Sequence, residues 1–241
     1  RMPNPTAAML VIGDEILSGR TRDANMHHLA QELTKVGISL SEVRIVSDDH
    51  DAIVSALNAL RASYDTVITS GGIGPTHDDI TADCVAAAFD VHIDVRDDAA
   101  ALLQAHYDRR GMEFNDARKR MARIPDGATL IENPVSIAPG FTIDNVHVMA
   151  GVPSVFQAMV ASVIPTLTGG APILSQTLRV DRGEGDIAGP LGQIAEDFPD
   201  LSIGSYPFQQ NGAYGSNIVV RGNDGARVDY AMARLAALFP A

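Results

Sequence analysis

The sequence predicts an α/β protein in which a mostly parallel sheet lies between helices, followed by a small α+β domain. Three observations carry this expectation. Short apolar runs alternate with helix-period segments from residue 7 to about residue 165, the pattern of strand-helix-strand units. Gly169, Gly170 and Pro172 then interrupt both periods. The remainder reads strand, helix, strand, strand, helix. Domains are therefore expected over 5–168 and 173–241.

The elements follow in order. AAMLVI (7–12) is an apolar run of strand length ending at Gly13. In ANMHHLAQELTKVG, the residues Met26, Leu29, Ala30, Leu33 and Val36 recur at helical spacing; Asp23 or Asn25 can cap this helix and Gly37 can end it. ISLSEVRIV (38–46) alternates as a strand does, DAIVSALNALRAS reads as a helix, and TVITS (66–70) as the next strand. From 78 to about 123 the pattern is mostly helical, broken by DVHIDV. HVMA (147–150) is a further strand, with a helix opening near Pro153. The tail gives a strand at 174–180, a helix at 186–197, strands at 201–206 and 216–221, and a helix at 226–239.

Composition narrows the function. A net charge of −12 over 241 residues opposes broad nucleic-acid binding and suits a protein that recruits cations. The one cysteine, Cys84, excludes an internal disulfide framework and a cysteine-rich zinc site. No stretch approaches the ~18 apolar residues of a membrane span, and the run before Asp14 is too short for a secretory segment, so a cytoplasmic protein without a membrane partner is expected.

The chemistry concentrates in TSGGIGPTHDDIT (69–81). Gly71, Gly72 and Gly74 follow a strand, where missing Cβ atoms let backbone N–H groups approach an anion. No Gly-Lys-Ser/Thr follows, so this is not a Walker loop. Asp78 and Asp79 repel phosphate and have two readings. Thr76 and Asp79 have the spacing of a capping box; alternatively the aspartates hold a divalent cation that also takes phosphate oxygens. A parallel sheet would bring Asp14 and Glu15, in IGDEILSG, to the same edge. Gly151 and Pro153 open a helix after a strand, either as a plain tight turn or as a further place for an anion. The run Arg118, Lys119, Arg120 and Arg123 reads as a solvated basic face, and of seven histidines only His77 falls in a candidate site.

Taken in order, IGDEILSG, TSGGIGPTHDDIT, NDARKRMARIPDGA, NPVSIAPGF and GVPS resemble the molybdopterin-binding-like domain of the competence/damage-inducible protein A family over residues 7 to 165. The tail EGDIAGPLGQIAEDFPDLSIGSYPF is similar to the region that follows this domain in eukaryotic FAD synthases. The resemblance implies a three-layer α/β/α fold and a homo-oligomer. It also implies divalent-metal-dependent (Mg, Mn or Co) hydrolysis of a nucleotide pyrophosphate of the ADP-ribose or FAD class. Molybdopterin binding with adenylyl transfer, and nucleotide binding without catalysis, are the alternatives. By motif, phosphate falls to Gly71, Gly72, Gly74, Thr76, Gly151 and Ser154, metal to Asp14, Glu15, Asp78 and Asp79, and catalysis to Asp78 and Asp79. The chain departs from the family pattern at Ser136 and Ile137, where Gly-Thr is usual. It departs again at Ala150, where Gly is usual, and at Val155, where Glu is usual.

Overall fold

The computed structural model describes residues 4–210 and 212–240; Arg1, Met2, Pro3, Asn211 and Ala241 lie outside them. The chain divides into two compact units, one running to Thr34 and from Ile38 to Gly169, the other comprising Lys35–Gly37 and the chain from Gly170. In the first unit β1 (Thr6–Ile12) leads through a single turn, α1 (Asp14–Leu17), to α2 (Asn25–Lys35). Then come β2 (Ser39–Val46), α3 (His50–Ser63), β3 (Thr66–Ser70), α4 (Thr81–Phe89), β4 (Ile93–Val95), α5 (Asp97–Arg109), α6 (Asp116–Lys119) and β5 (Arg123–Pro125). β6 (Thr129–Ile131), β7 (Gly140–Ile143), β8 (Val146–Met149) and α7 (Pro153–Val163) complete it.

Six strands form one sheet in the order β2-β1-β3-β8-β7-β6. β1 is parallel to β2 and β3, and β3 to β8. β1 is buried along its length because both its faces are covered. Ala8, Leu10 and Ile12 pack with Ile53, Leu57 and Leu60 of α3 and with Cys84 and Val85 of α4, while Met9 and Val11, which alternate with them, are equally buried on the other side. α3 forms where the pattern places it: Asp49 caps it by accepting a hydrogen bond from Ala52 N at 2.9 Å. Of the two candidate caps for α2, Asp23 serves, accepting from Met26 N at 3.0 Å. Asn25 instead reaches inward to Ser70.

One expectation is corrected, the start of the fourth helix. The sheet is mostly parallel, as expected: it is parallel as far as β8, and β7 runs antiparallel to both β8 and β6, a tight turn at Asp144–Asn145 linking β7 to β8 directly without a crossover helix. The helix expected from residue 78 begins at Thr81, with Ile80 at its cap position. β4 falls in DVHIDV, where the helical pattern is expected to break, and β5 begins at Arg123, where it is expected to end; the two pair antiparallel in a separate ladder.

In the second unit β9 (Leu174–Val180), α8 (Glu184–Asp197), β10 (Ser202–Gln210), β11 (Ala213–Gly222) and α9 (Gly225–Leu238) make an antiparallel sheet in the order β10-β11-β9. Ile187, Ile194 and Phe198 of the α8 segment pack with Ile218, Val220, Val228 and Leu235. Among the described residues no helix is long and apolar enough to cross a membrane.

One polar core residue makes stability pH-dependent. His147 in β8 is 6% exposed, with Nδ1 2.8 Å from Thr142 Oγ1. Burial pushes its pKa down from 6.5 to about 4. A depressed histidine contributes fully above its unfolded value, and the contribution is lost as pH falls from 6.5 towards 4, because the unfolded chain takes the proton first. Between pH 7 and 4.5 the wild type should lose roughly 2–3 kcal/mol through this residue. His147→Phe should flatten that part of the curve. Urea midpoints of both proteins at the two pH values check it, and equal slopes would remove His147 from the acid-sensitive groups.

Candidate functional site

The exits of β1, β2, β3 and β8 meet at one sheet edge, and glycines let them do so. Gly71 has φ +103°, and a Cβ there would collide with the carbonyl oxygen of Ile12 at the end of β1. On its other side, a Cβ on Gly151 would meet Gly71 Cα at 3.3 Å. Gly71 N donates to Met149 O at 3.1 Å, so the turn is fastened to β8. Its far end is fastened to α4, since Thr81 Oγ1 donates to Gly71 O at 2.9 Å and Thr81 N to Gly72 O at 3.0 Å. Among the described residues the N–H groups of Gly72, Ile73 and Gly74 make no hydrogen bond within the protein. They are available to an anion.

The acidic pair divides. Asp79 folds back on its own turn: its Oδ2 accepts from Thr76 N at 2.8 Å and lies 2.6 Å from Thr76 Oγ1. This is half of a capping box, closing a turn ahead of the helix instead of the helix itself. Asp78 is exposed, and its Oδ1 is also 2.6 Å from Thr76 Oγ1. That hydrogen bond, first among its causes, holds the Asp78 carboxyl below its ordinary range. The single proton of the Thr76 hydroxyl serves one of these two carboxylates at a time.

A third acidic position, unnoticed in the sequence, joins them. Asp48, just beyond β2, accepts a hydrogen bond from Asp14 N at 2.9 Å. Its carboxyl is pushed above its ordinary range, chiefly by burial and then by the charges of Asp14, Glu15 and Asp78, against the opposing Asp14 N–H. Three turns from three adjacent strands thus place Asp14, Glu15 and Asp78 within electrostatic reach of Asp48. Only oxygen donors are present, which suits a hard divalent cation. Among the described residues no three acidic, histidine or cysteine side chains already form a cage, so ligand oxygens and water would complete the shell.

The remaining candidates surround this centre. Ser154 is exposed in the first turn of α7, whose N-terminal end faces the same edge through Gly151. Asn25, 4% exposed, ties α2 to it by donating from Nδ2 to Ser70 Oγ and to Gly151 O, both at 2.8 Å. The basic run is only partly a solvated face. Arg120 donates to Asp79 O at 3.2 Å, and Arg123 grips Asp83 with two bonds of 2.9 and 2.7 Å. Where the chain departs from the family pattern, Val155 is buried in α7 and Ile137 stands at φ +70°, a conformation that a β-branched residue adopts only under strain.

Residues 8–169 match the family described as probable molybdopterin binding domain, and residues 172–241 match the FAD synthase middle domain. A protein of Caldivirga maquilingensis is 34% identical over 165 residues, an alignment spanning 67% of this chain and 64% of that one. One from Pyrobaculum arsenaticum is 34% identical over 210 residues, spanning 83% and 79%. The crystal structure of the protein CinA, of unknown function, from Thermoplasma acidophilum is similar with a TM-score of 0.63 and 30% identity, over 68% of this chain and 99% of that chain.

Two outcomes are expected. Because its folded-state pKa is raised, Asp48 contributes stability only below its unfolded value and loses it as pH rises. Asp48→Asn should therefore raise the thermal midpoint at pH 7 in metal-free buffer, with the difference vanishing near pH 3.5. An unchanged or lower midpoint at pH 7 would contradict the crowding of charge. Ile137→Asn, which tolerates φ > 0, should stabilise by about 1 kcal/mol, measured as a higher urea midpoint at constant slope.

Proposed function

We propose a function from the premise that this chain belongs to the probable molybdopterin binding domain family and is CinA-like within it: divalent-metal-dependent hydrolysis of a nucleotide pyrophosphate of the ADP-ribose or FAD class. The observation that carries the reading is the placing of Asp48, whose carboxyl is raised chiefly by burial and further by three carboxylates from two other turns. Such crowding is relieved by a cation, and the neighbouring donors are relieved by an anion. A phosphate ester with its metal supplies both.

The roles divide among the chain's own groups. The N–H groups of Gly72, Ile73 and Gly74 hold one phosphate, and the start of α7 with Ser154 holds the next. Asp14, Glu15, Asp48 and Asp78 would hold the cation. When bound, it supplies neutralisation and Lewis-acid polarisation of a phosphoryl oxygen. Asp79 keeps the turn in shape through Thr76 and, by its carbonyl, through Arg120. Hydrolysis forms one phosphorus–oxygen bond to water, breaks the bridging one, and releases two phosphate monoesters and a proton. The second reading, a molybdopterin-binding protein with adenylyl transfer, uses the same crevice and is favoured by the family match. Buried Val155 and strained Ile137 favour a third, binding without turnover.

Turnover of ADP-ribose, FAD and adenylylated molybdopterin with Mg²⁺, Mn²⁺ or Co²⁺ separates these readings. Asp78→Asn/Asp79→Asn should keep the wild-type thermal midpoint in metal-free buffer to within about 1 kcal/mol of stability. It should lose the added stability that wild type gains from nucleotide plus metal, and bind metal at least about tenfold more weakly. Calorimetric titration of both proteins reads this directly, and equal metal-dependent binding by the two would sink the mechanism.

A further inference from the structure

At the amino ends of the parallel strands, the edge opposite the glycine turn, the first unit holds a second cavity of about 680 Å³. That volume suits a small-molecule site. It is lined by the starts of β3 and β8, by β6 and β7, and by the last turn of α7 with the residues after it. None of the lining residues is Lys or Arg, whereas Asp65, Glu132 and Asp144 are among them. An anionic nucleotide is therefore the wrong ligand here.

The hydrogen-bond inventory sharpens the point, because several donors that line the cavity are already engaged within the protein. Ser162 Oγ donates to Ala158 O at 3.3 Å, and Thr166 Oγ1 to Val163 O at 2.7 Å. Asn145 Nδ2 donates to Arg61 O and to Tyr64 O, both at 3.0 Å. These groups are left with oxygen lone pairs, which join the carboxylates as acceptors. The cavity also contains a buried polar side chain with an atom to spare. His147, 6% exposed, has Nδ1 engaged by Thr142 and Nε2 without a hydrogen bond among the described residues. Held neutral by burial, the ring adds no positive charge at pH 7. Leu130, Ile131, Val163 and Leu167 supply apolar lining between the polar groups.

We infer that this cavity is a binding site for a small aliphatic amine. Its ammonium N–H groups would meet Glu132, Asp144 and the oxygen atoms left open around them, and its alkyl chain would lie against the apolar lining beside His147. The inference is independent of the pyrophosphatase reading, since it uses the other edge of the sheet and the opposite ligand charge.

The test uses 1,4-diaminobutane as probe, with 1,4-butanediol as its uncharged counterpart, against the full chain at pH 7.5 and physiological salt. Calorimetry should show one diamine per chain, and nuclear magnetic resonance should show a shift of the His147 ring signals that the diol does not cause. Glu132→Gln/Asp144→Asn should weaken binding by about tenfold or more. Asn suits position 144, where φ is +50°, and circular dichroism checks that the variant folds. Asp14→Asn/Asp78→Asn, at the other edge, should leave diamine binding unchanged. Equal weakening by both double variants would mean general attraction to an acidic chain and would overturn the inference. So would an equal response to the diol, a silent His147, or a dimer in which a second copy closes the cavity to the diamine.

Discussion

The arrangement depends on one close approach, the passage of the chain at Gly71 past the carbonyl oxygen of Ile12. β1 and β3 are adjacent and parallel, so their exits leave the sheet side by side. Any side chain at Gly71 would force them apart. With none there, the turn after β3 settles between the turn after β1 and the turn after β8, fastened to Met149 on one flank and to Thr81 on the other. Unpaired N–H groups and carboxylates from separate turns are then held within one crevice. Every later feature of the site follows from that geometry.

The crevice is paid for in electrostatic repulsion. Asp48 bears it: its carboxyl is pushed up first by burial and then by the charges of Asp14, Glu15 and Asp78. Folding tolerates this because the rest of the unit is a well-buried sheet with apolar cover on both faces. Repulsion that a protein keeps at a strand edge beside unsatisfied donors is a common mark of a binding site. Here the two features lie at the same sheet edge, with Asp78 in the turn that carries the unpaired N–H groups.

Much of this was legible in the sequence, and what was not has identifiable causes. β1, β2, β3 and β8, with their helices, announce themselves through runs long enough to show a period. β6 and β7 are three and four residues long, too short for alternation to register, and their pairing is decided by neighbours distant in sequence. Asp48 and Asp49 are identical neighbours in the sequence, yet Asp49 caps α3 while Asp48 turns back to Asp14 N; only the tertiary path separates them. Thr76 and Asp79 have capping-box spacing, but Pro75 and Gly74 hold them in a turn that closes two residues before α4 begins. The acceptor-rich cavity at the other edge has no motif at all, since it arises from where hydroxyl and amide hydrogens are directed.

The polarity of the two edges has a single physical origin. In a parallel α/β unit the helices run antiparallel to the strands, so a helix that follows a strand begins at the carboxyl edge and ends near the amino edge. α7 does this: its N-terminal, positive dipole end lies by Gly151 and the glycine turn, and its C-terminal, negative end lies by Ser162 and Val163. One helix therefore favours an anion at the first edge and a cation at the second. Side chains reinforce the division at the amino edge, where no Lys or Arg lines the cavity. They oppose it at the carboxyl edge, where four carboxylates crowd against donors that want phosphate. That opposition suits the metal–phosphate pair proposed above, in which a cation would stand between the carboxylates and the phosphate.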